Sequence, residues 1–215
     1  LPDPAVAALL RAFACASHDP TRHVLQSAYL DVSDARSHGH RIVATDGRQL
    51  FSSNSLRLDG IRESILLPNH PVWTWKALAD SRPWSLRLGN VLKSGRQPFR
   101  IDGPFWSING LTIDGHYPNY RQVVPADGEF KTRIDLPAPA VEELARLIPV
   151  LPGGKLPTRP VGIEATPRGE VNLLYRDTHD EPWQARPIAG ARAMGPVVTV
   201  FACRDYLARA FGFGL

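Results

Sequence analysis

The sequence predicts an α+β chain of two repeated domains, each with two helices packed on antiparallel sheet. Three observations predict it. LPDPAVAALLRAF at 1–13 is matched by LPAPAVEELARLI at 136–148, and such self-similarity sets the architecture. Short alternating runs follow each copy, with a second helix-like segment about 70 residues beyond the first. Between the copies, PADGEF at 125–130 gathers the Pro, Gly and Asp of a linker, dividing the chain into domains at 1–125 and 126–215.

Taken in order, the first helix begins on prolines, where a missing N–H costs nothing. Val6, Leu9, Leu10 and Phe13 fall on one face at helical spacing, as Val141, Leu144, Leu147 and Ile148 do in the second copy. HVLQSAYLDV (23–32), HRIVATDG (40–47) and LFSSNSLRL (50–58) read as strands, and VWTWKALAD (72–80) as a second helix. WSLRLG (84–89), PFRIDG (98–103), FWSING (105–110) and LTIDG (111–115) alternate as a meander. The second copy gives strands at VGIEA (161–165), EVNLLYR (170–176), WQARPIAG (183–190) and VVTVFAC (197–203), then a helix at RDYLARAF (204–211). Measured against the first copy, the second is expected to lack its last strands, about 35–40 residues, which leaves a sheet edge unpaired. With Met194 the single methionine, the chain is expected to be part of a longer protein.

Composition narrows the function. Hydrophobic residues make up 43%, yet no apolar run approaches the roughly 20 residues of a membrane span, and no basic-then-apolar leader opens the sequence. Cys15 and Cys203 sit in apolar company and read as buried free thiols of a reducing, cytoplasmic setting. The net charge of +4 arises in residues 1–125, with 14 Lys and Arg against 10 Asp and Glu; residues 126–215 balance at 11 each. This permits contact with nucleic acid without demanding it.

Catalytic patterns fail one by one. His38 and His40 share a turn but have no third ligand at a suitable spacing, so no metal is expected. Gly153-Gly154-Lys155 lacks the earlier glycine and following Ser/Thr of a phosphate loop and leads into Leu156-Pro157 instead of a helix. There is no G-x-S-x-G, no H-E-x-x-H and no spaced cysteine set. Asp46 with a neighbouring histidine has neither nucleophile nor oxyanion donors beside it. A non-enzymatic protein without cofactors is expected.

Two segments instead carry the marks of a preset binding surface. In Val43-Ala44-Thr45-Asp46-Gly47-Arg48-Gln49-Leu50 a β-branched strand ends in a turn, where Asp46 accepts a local N–H and Gly47 supplies a positive φ, before Leu50 re-enters the sheet. In Asp114-Gly115-His116-Tyr117-Pro118-Asn119-Tyr120-Arg121-Gln122-Val123-Val124-Pro125 a proline between aromatics fixes the backbone. The first resembles the V-A-T-D-G-H-R-L segment of the bacterial DNA polymerase III beta subunit, the sliding clamp; the second resembles D-G-x-F-P-D-Y-R-R-V-x-P of the same family. Asp19-Pro20-Thr21-Arg22-His23-Val24-Leu25-Gln26 is a weaker match to D-V-R-Y-Y-L-N. Order and spacing agree along the whole chain, which corresponds to the family's middle domain and part of its C-terminal domain.

The resemblance implies a DNA-clamp fold and a non-catalytic processivity factor. Such a factor is a homo-oligomeric ring that encircles double-stranded DNA without reading its sequence. It docks DNA polymerase, the clamp loader and repair proteins through short hydrophobic motifs. The implied cleft residues are Leu25, Thr45, Gly47, Arg48, Gln49, Leu50, Pro118, Gln122 and Val123. The DNA-facing set implied on the helices and their approaches is Arg11, Arg22, His23, Lys76, Arg146, Arg204 and Arg209. Gln49 and Gln122 each stand where the family carries an arginine, and Pro68-Asn69-His70-Pro71 stands where it carries a basic pair. Glu142 and Glu143 complement the dipole of their helix and subtract from a DNA-facing surface. A divergent scaffold that docks proteins without encircling DNA is the alternative.

Overall fold

The computed structural model describes residues 1–33, 39–54 and 56–214, in two compact units, Leu1–Arg121 and Gln122–Leu215. In the first unit, helix α1 (Asp3–Cys15) starts directly after Pro2 and carries a second proline in its first turn. Val6, Leu9 and Phe13 of its predicted face are fully buried, joined by Ala5, Ala8 and Ala12, so the stripe is wider than the sequence spacing indicated. This face packs on a four-stranded antiparallel sheet ordered β3-β2-β1-β4, with β1 at Ser27–Asp31, β2 at Arg41–Thr45, β3 at Leu50–Ser52 and β4 at Ile65–Pro68. β4 eluded the sequence reading because its Ile-Leu-Leu run is wholly buried and shows no alternation.

The helix expected over 72–80 is divided. A 3-10 turn at Pro71–Thr74 is followed by extended backbone at Trp75, and only Lys76–Ala79 (α2) is α-helical. The division follows from Trp73, whose ring stacks on Phe13 of α1 at 4.9 Å and whose indole N–H donates to the Pro68 carbonyl at 3.2 Å. Trp84 lies against Trp73, and Trp106 meets Trp84 edge-on at 5.0 Å. The four rings run from α1 to the second sheet, β5-β6-β7, with strands at Ser85–Leu88, Pro98–Asp102 and Ser107–Leu111. β7 spans the junction of two predicted runs, since Phe105 stands at the hairpin tip, 96% exposed.

The second unit repeats the plan with a smaller core. After the short strand β8 (Arg133–Asp135), α3 (Ala138–Leu147) packs beside α4 (Arg204–Gly212). The sheet is β11-β10-β9-β13, from Gln184–Pro187, Val171–Tyr175, Pro160–Ala165 and Val198–Cys203, while β12 (Arg192–Met194) pairs with β8. Leu144, Ile148, Val161, Leu173 and Phe211 form its centre. β8 and β12, three residues each, are too short to have shown a period.

No helix among the described residues is long and apolar enough to cross a membrane. Neither cysteine is in a disulfide; Cys15 is buried and Cys203 half-buried.

Candidate functional site

The turn after β2 is built as its residues dictate. The Asp46 carboxylate accepts the Arg48 and Gln49 backbone N–H groups at 2.9 and 3.0 Å, and the Gln49 side-chain amide at 3.1 Å. Thr45 Oγ1 accepts the Gly47 N–H at 2.9 Å and donates to the Gln49 carbonyl. Gly47 has φ +88°, where any side chain would be strained. The glutamine in place of the family's arginine is thus drawn into the turn, closing it from inside.

Arg22 reaches across to the same turn and donates to the Asp46 carbonyl at 2.7 Å, with Asp19 at 3.5 Å on its other side. Asp19 is held below the usual carboxylate range, chiefly by the Thr21 hydroxyl and backbone N–H that it accepts. Beyond Arg22 the chain makes a 3-10 turn at His23–Leu25, leaving His23 exposed and Leu25 half-buried.

The second motif comes to the same place. Gly115, at φ +141°, lets the backbone approach Val24 so closely that a Cβ would lie 2.9 Å from its methyl carbon. Tyr117 stacks on Tyr29 of β1 at 4.8 Å, and its buried hydroxyl sits against the Thr45 backbone without a well-aligned hydrogen bond; burial pushes this phenol up. Tyr120 is buried and donates to Asp31 at the end of β1 at 2.7 Å. Pro118 and Asn119, between the two tyrosines, are exposed.

The first unit therefore brings together Leu25, Thr45, Gly47, Arg48, Gln49, Leu50 and Pro118. Leu25, Thr45, Gln49 and Leu50 are half-buried, while Gly47, Arg48 and Pro118 are open to solvent. Gln122 and Val123 open the second unit and are exposed, Val123 at 71%. Half-buried apolar groups beside an open rim suit the capture of one or two apolar side chains.

The basic residues fare differently. Lys76 is exposed on its single helical turn, and Arg11 and Arg209 are half-buried. Arg22 is committed to the turn, and exposed Arg146 lies 3.7 Å from Glu142. Arg204 does not face outward as expected: it is 2% exposed, and its guanidinium donates to the carbonyls of Leu151, at 2.6 Å, and Pro152. Those carbonyls lie in the loop after the 3-10 turn Ile148–Val150 that follows α3, and a buried cation satisfies them. Burial pulls the Arg204 pKa down. Its sequence position, opening a helix after an apolar strand, gave no sign of this.

His38 lies outside the described residues. His40 accepts the Leu58 N–H at Nδ1, 2.8 Å, which is a structural use. Among the described residues no group of three or more His, Cys, Asp or Glu could hold a metal. Gly153 sits at φ +89° in a loop and donates its N–H to Asp177 at 2.8 Å.

No protein-family model matches the chain, and no curated protein matches it in sequence. Solved structures match it throughout. The beta subunit from DNA polymerase of Streptococcus pyogenes aligns with a TM-score of 0.75 at 14% identity, over 99% of this chain and 55% of that one. The fold is that of a bacterial sliding clamp. DNA polymerase III subunit beta from Borrelia burgdorferi, in complex with a natural product, gives 0.76 at 14% identity over 99% and 53%. The sliding clamp from Bartonella birtlesii bound to griselimycin gives 0.72 at 18% over 99% and 55%. The chain spans just over half the length of these clamps. At such identities the likeness resides in the arrangement of elements, as the internal repeat and motif order foretold.

Proposed function

We propose that this chain is a non-catalytic, sliding-clamp-like docking scaffold whose first unit captures short hydrophobic segments of replication and repair proteins, among them DNA polymerase and the clamp loader. The observation that carries this reading is the meeting of the Thr45–Leu50 turn with Gly115–Tyr117 beside Leu25. Three separate stretches of sequence, each resembling a sliding-clamp segment in the same order, converge on one face. Leu25 and Leu50 supply the apolar floor, Pro118 a rigid wall, and exposed Arg48 the polar rim, while Gln49 braces the turn behind it.

The test is a fluorescence-anisotropy titration with a labelled hexapeptide carrying a Leu-Phe pair, and a control in which serines replace the pair. Binding should depend on the pair and weaken at least tenfold in Leu50→Asp, the loss of one buried anchor being worth 1–2 kcal/mol or about that factor. Equal, weak binding of both peptides to both proteins would sink the reading.

A second reading is favoured by the fold: a homo-oligomeric ring that encircles double-stranded DNA, with Lys76, His23, Arg11 and Arg209 toward phosphates. Such contacts are sequence-independent and fall with salt. Retention on circular DNA, lost on linearisation, is its expected outcome; a monomer that never stays on circular DNA contradicts it. The commitment of Arg22 to the turn and of Arg204 to buried carbonyls makes docking the better supported of the two.

A further inference from the structure

We propose that Asp31 is the positioning residue of the docking face, the group that holds the Tyr117–Arg121 segment in its presenting conformation. The proposal rests on the docking reading for its purpose but on its own geometry for its content. Asp31 ends β1 and is 3% exposed, a place where a carboxylate survives only if its oxygens are satisfied. Four donors satisfy them. Oδ1 accepts the Ser33 backbone N–H at 2.9 Å and the Ser33 hydroxyl at 2.6 Å; Oδ2 accepts the Tyr120 hydroxyl at 2.7 Å and the Arg121 guanidinium at 2.9 Å.

Two of the four donors come from the second motif, some ninety residues along the chain. The partner of the third anchor is also on β1: Tyr29 stacks on Tyr117. Residues two apart on a strand share a face. Tyr29 and Asp31 therefore act as two pins on one strand face, one apolar and one ionic, fixing Tyr117 at one end and Tyr120 with Arg121 at the other. Pro118 and Asn119 lie between the pins in a tight turn, which the Tyr120 N–H closes on the Pro118 carbonyl at 2.8 Å. The aromatic pin tolerates sliding; the ionic pin, with two donors converging on one oxygen, fixes direction. No pattern around Asp31 in the sequence singled it out, because SAYLD reads as an ordinary strand end.

The test uses the full chain, with Asp31→Asn and Tyr120→Phe as separate variants. Tyr120→Phe keeps the ring and removes one donor, so it stays informative if Asp31→Asn folds poorly. Hydrogen exchange of the 117–121 segment should accelerate about tenfold in either variant, with exchange in β6 and β7 of the same unit unchanged. Hexapeptide affinity should fall by about three- to tenfold, less than for Leu50→Asp, because a positioning group acts through the residues it holds. Unchanged exchange at 117–121 in both variants overturns the proposal, as does acceleration spread equally through β6 and β7, which marks a general loss of stability of the first unit. Failure of the unaltered chain to bind the peptide would remove the docking reading, and the exchange result would still decide whether Asp31 holds the segment.

Discussion

The two units share one plan of helices on a four-stranded antiparallel sheet but hold it together by different means. In the first, β4 is buried along Ile65–Leu67, and the Ile113 N–H donates to the Leu66 carbonyl at 2.9 Å, so the edge of the sheet is occupied. In the second, the corresponding strand β13 exposes Val200 at 56% and Phe201 at 49%. The first unit ties helix to second sheet with a chain of four aromatic rings in contact; the second ties α4 to the loop after α3 with a buried arginine. A repeat thus preserves where helices and strands lie, while the means of holding them together is free to change. The motif segments converge in the first unit.

Changes that break this contrast should be ordered by burial. Trp84→Ala removes the centre of the ring stack and should cost about 3–5 kcal/mol in denaturant unfolding of the first unit; a loss under about 1 kcal/mol would mean the stack is incidental. Arg204→Met keeps the stem but strands the Leu151 and Pro152 carbonyls, and should cost the second unit about 2 kcal/mol. Gain of stability there would instead show that desolvating the cation outweighs its hydrogen bonds.

A pH series sharpens the contrast further. Burial alone would raise the Asp31 pKa, but the Ser33 donors, Tyr120 and Arg121 together hold it below the usual carboxylate range. A folded-state pKa lower than the unfolded one gives stability that is complete above about pH 4 and lost as pH falls through the folded value. Tyr120, pushed up to about 12 by burial and by Asp31, contributes in the opposite sense: its share is lost as pH rises from about 10 toward 12. Acid unfolding of Asp31→Asn should have a shallower low-pH slope than the unaltered chain, and an identical slope would contradict the assignment. Least affected should be Arg146→Gln, whose exposed pair with Glu142 is worth no more than about 0.5 kcal/mol; a larger change in Tm than a degree or two would count against that pair being superficial.

Much of this was legible in the sequence. The prolines before α1 and α3 and the spacing of Val6, Leu9 and Phe13 gave the helices, and Thr45-Asp46-Gly47 gave a turn with the expected hydrogen bonds. What was not legible depended on tertiary partners. β4 has no period because both its faces are covered. The 72–80 helix broke because Trp73 stacks on Phe13, a contact sixty residues away in the chain. Arg204 reads as a surface residue until the carbonyls that it satisfies are seen, and Asp31 reads as a strand end until Tyr120 and Arg121 arrive.

The most direct test is an amide NMR titration of the full chain with the Leu-Phe hexapeptide. Docking on the first unit predicts shift changes concentrated at Leu25, Thr45–Leu50 and Gly115–Tyr120. Changes confined to the exposed Val200 and Phe201 of β13, or none at saturating peptide, would contradict it.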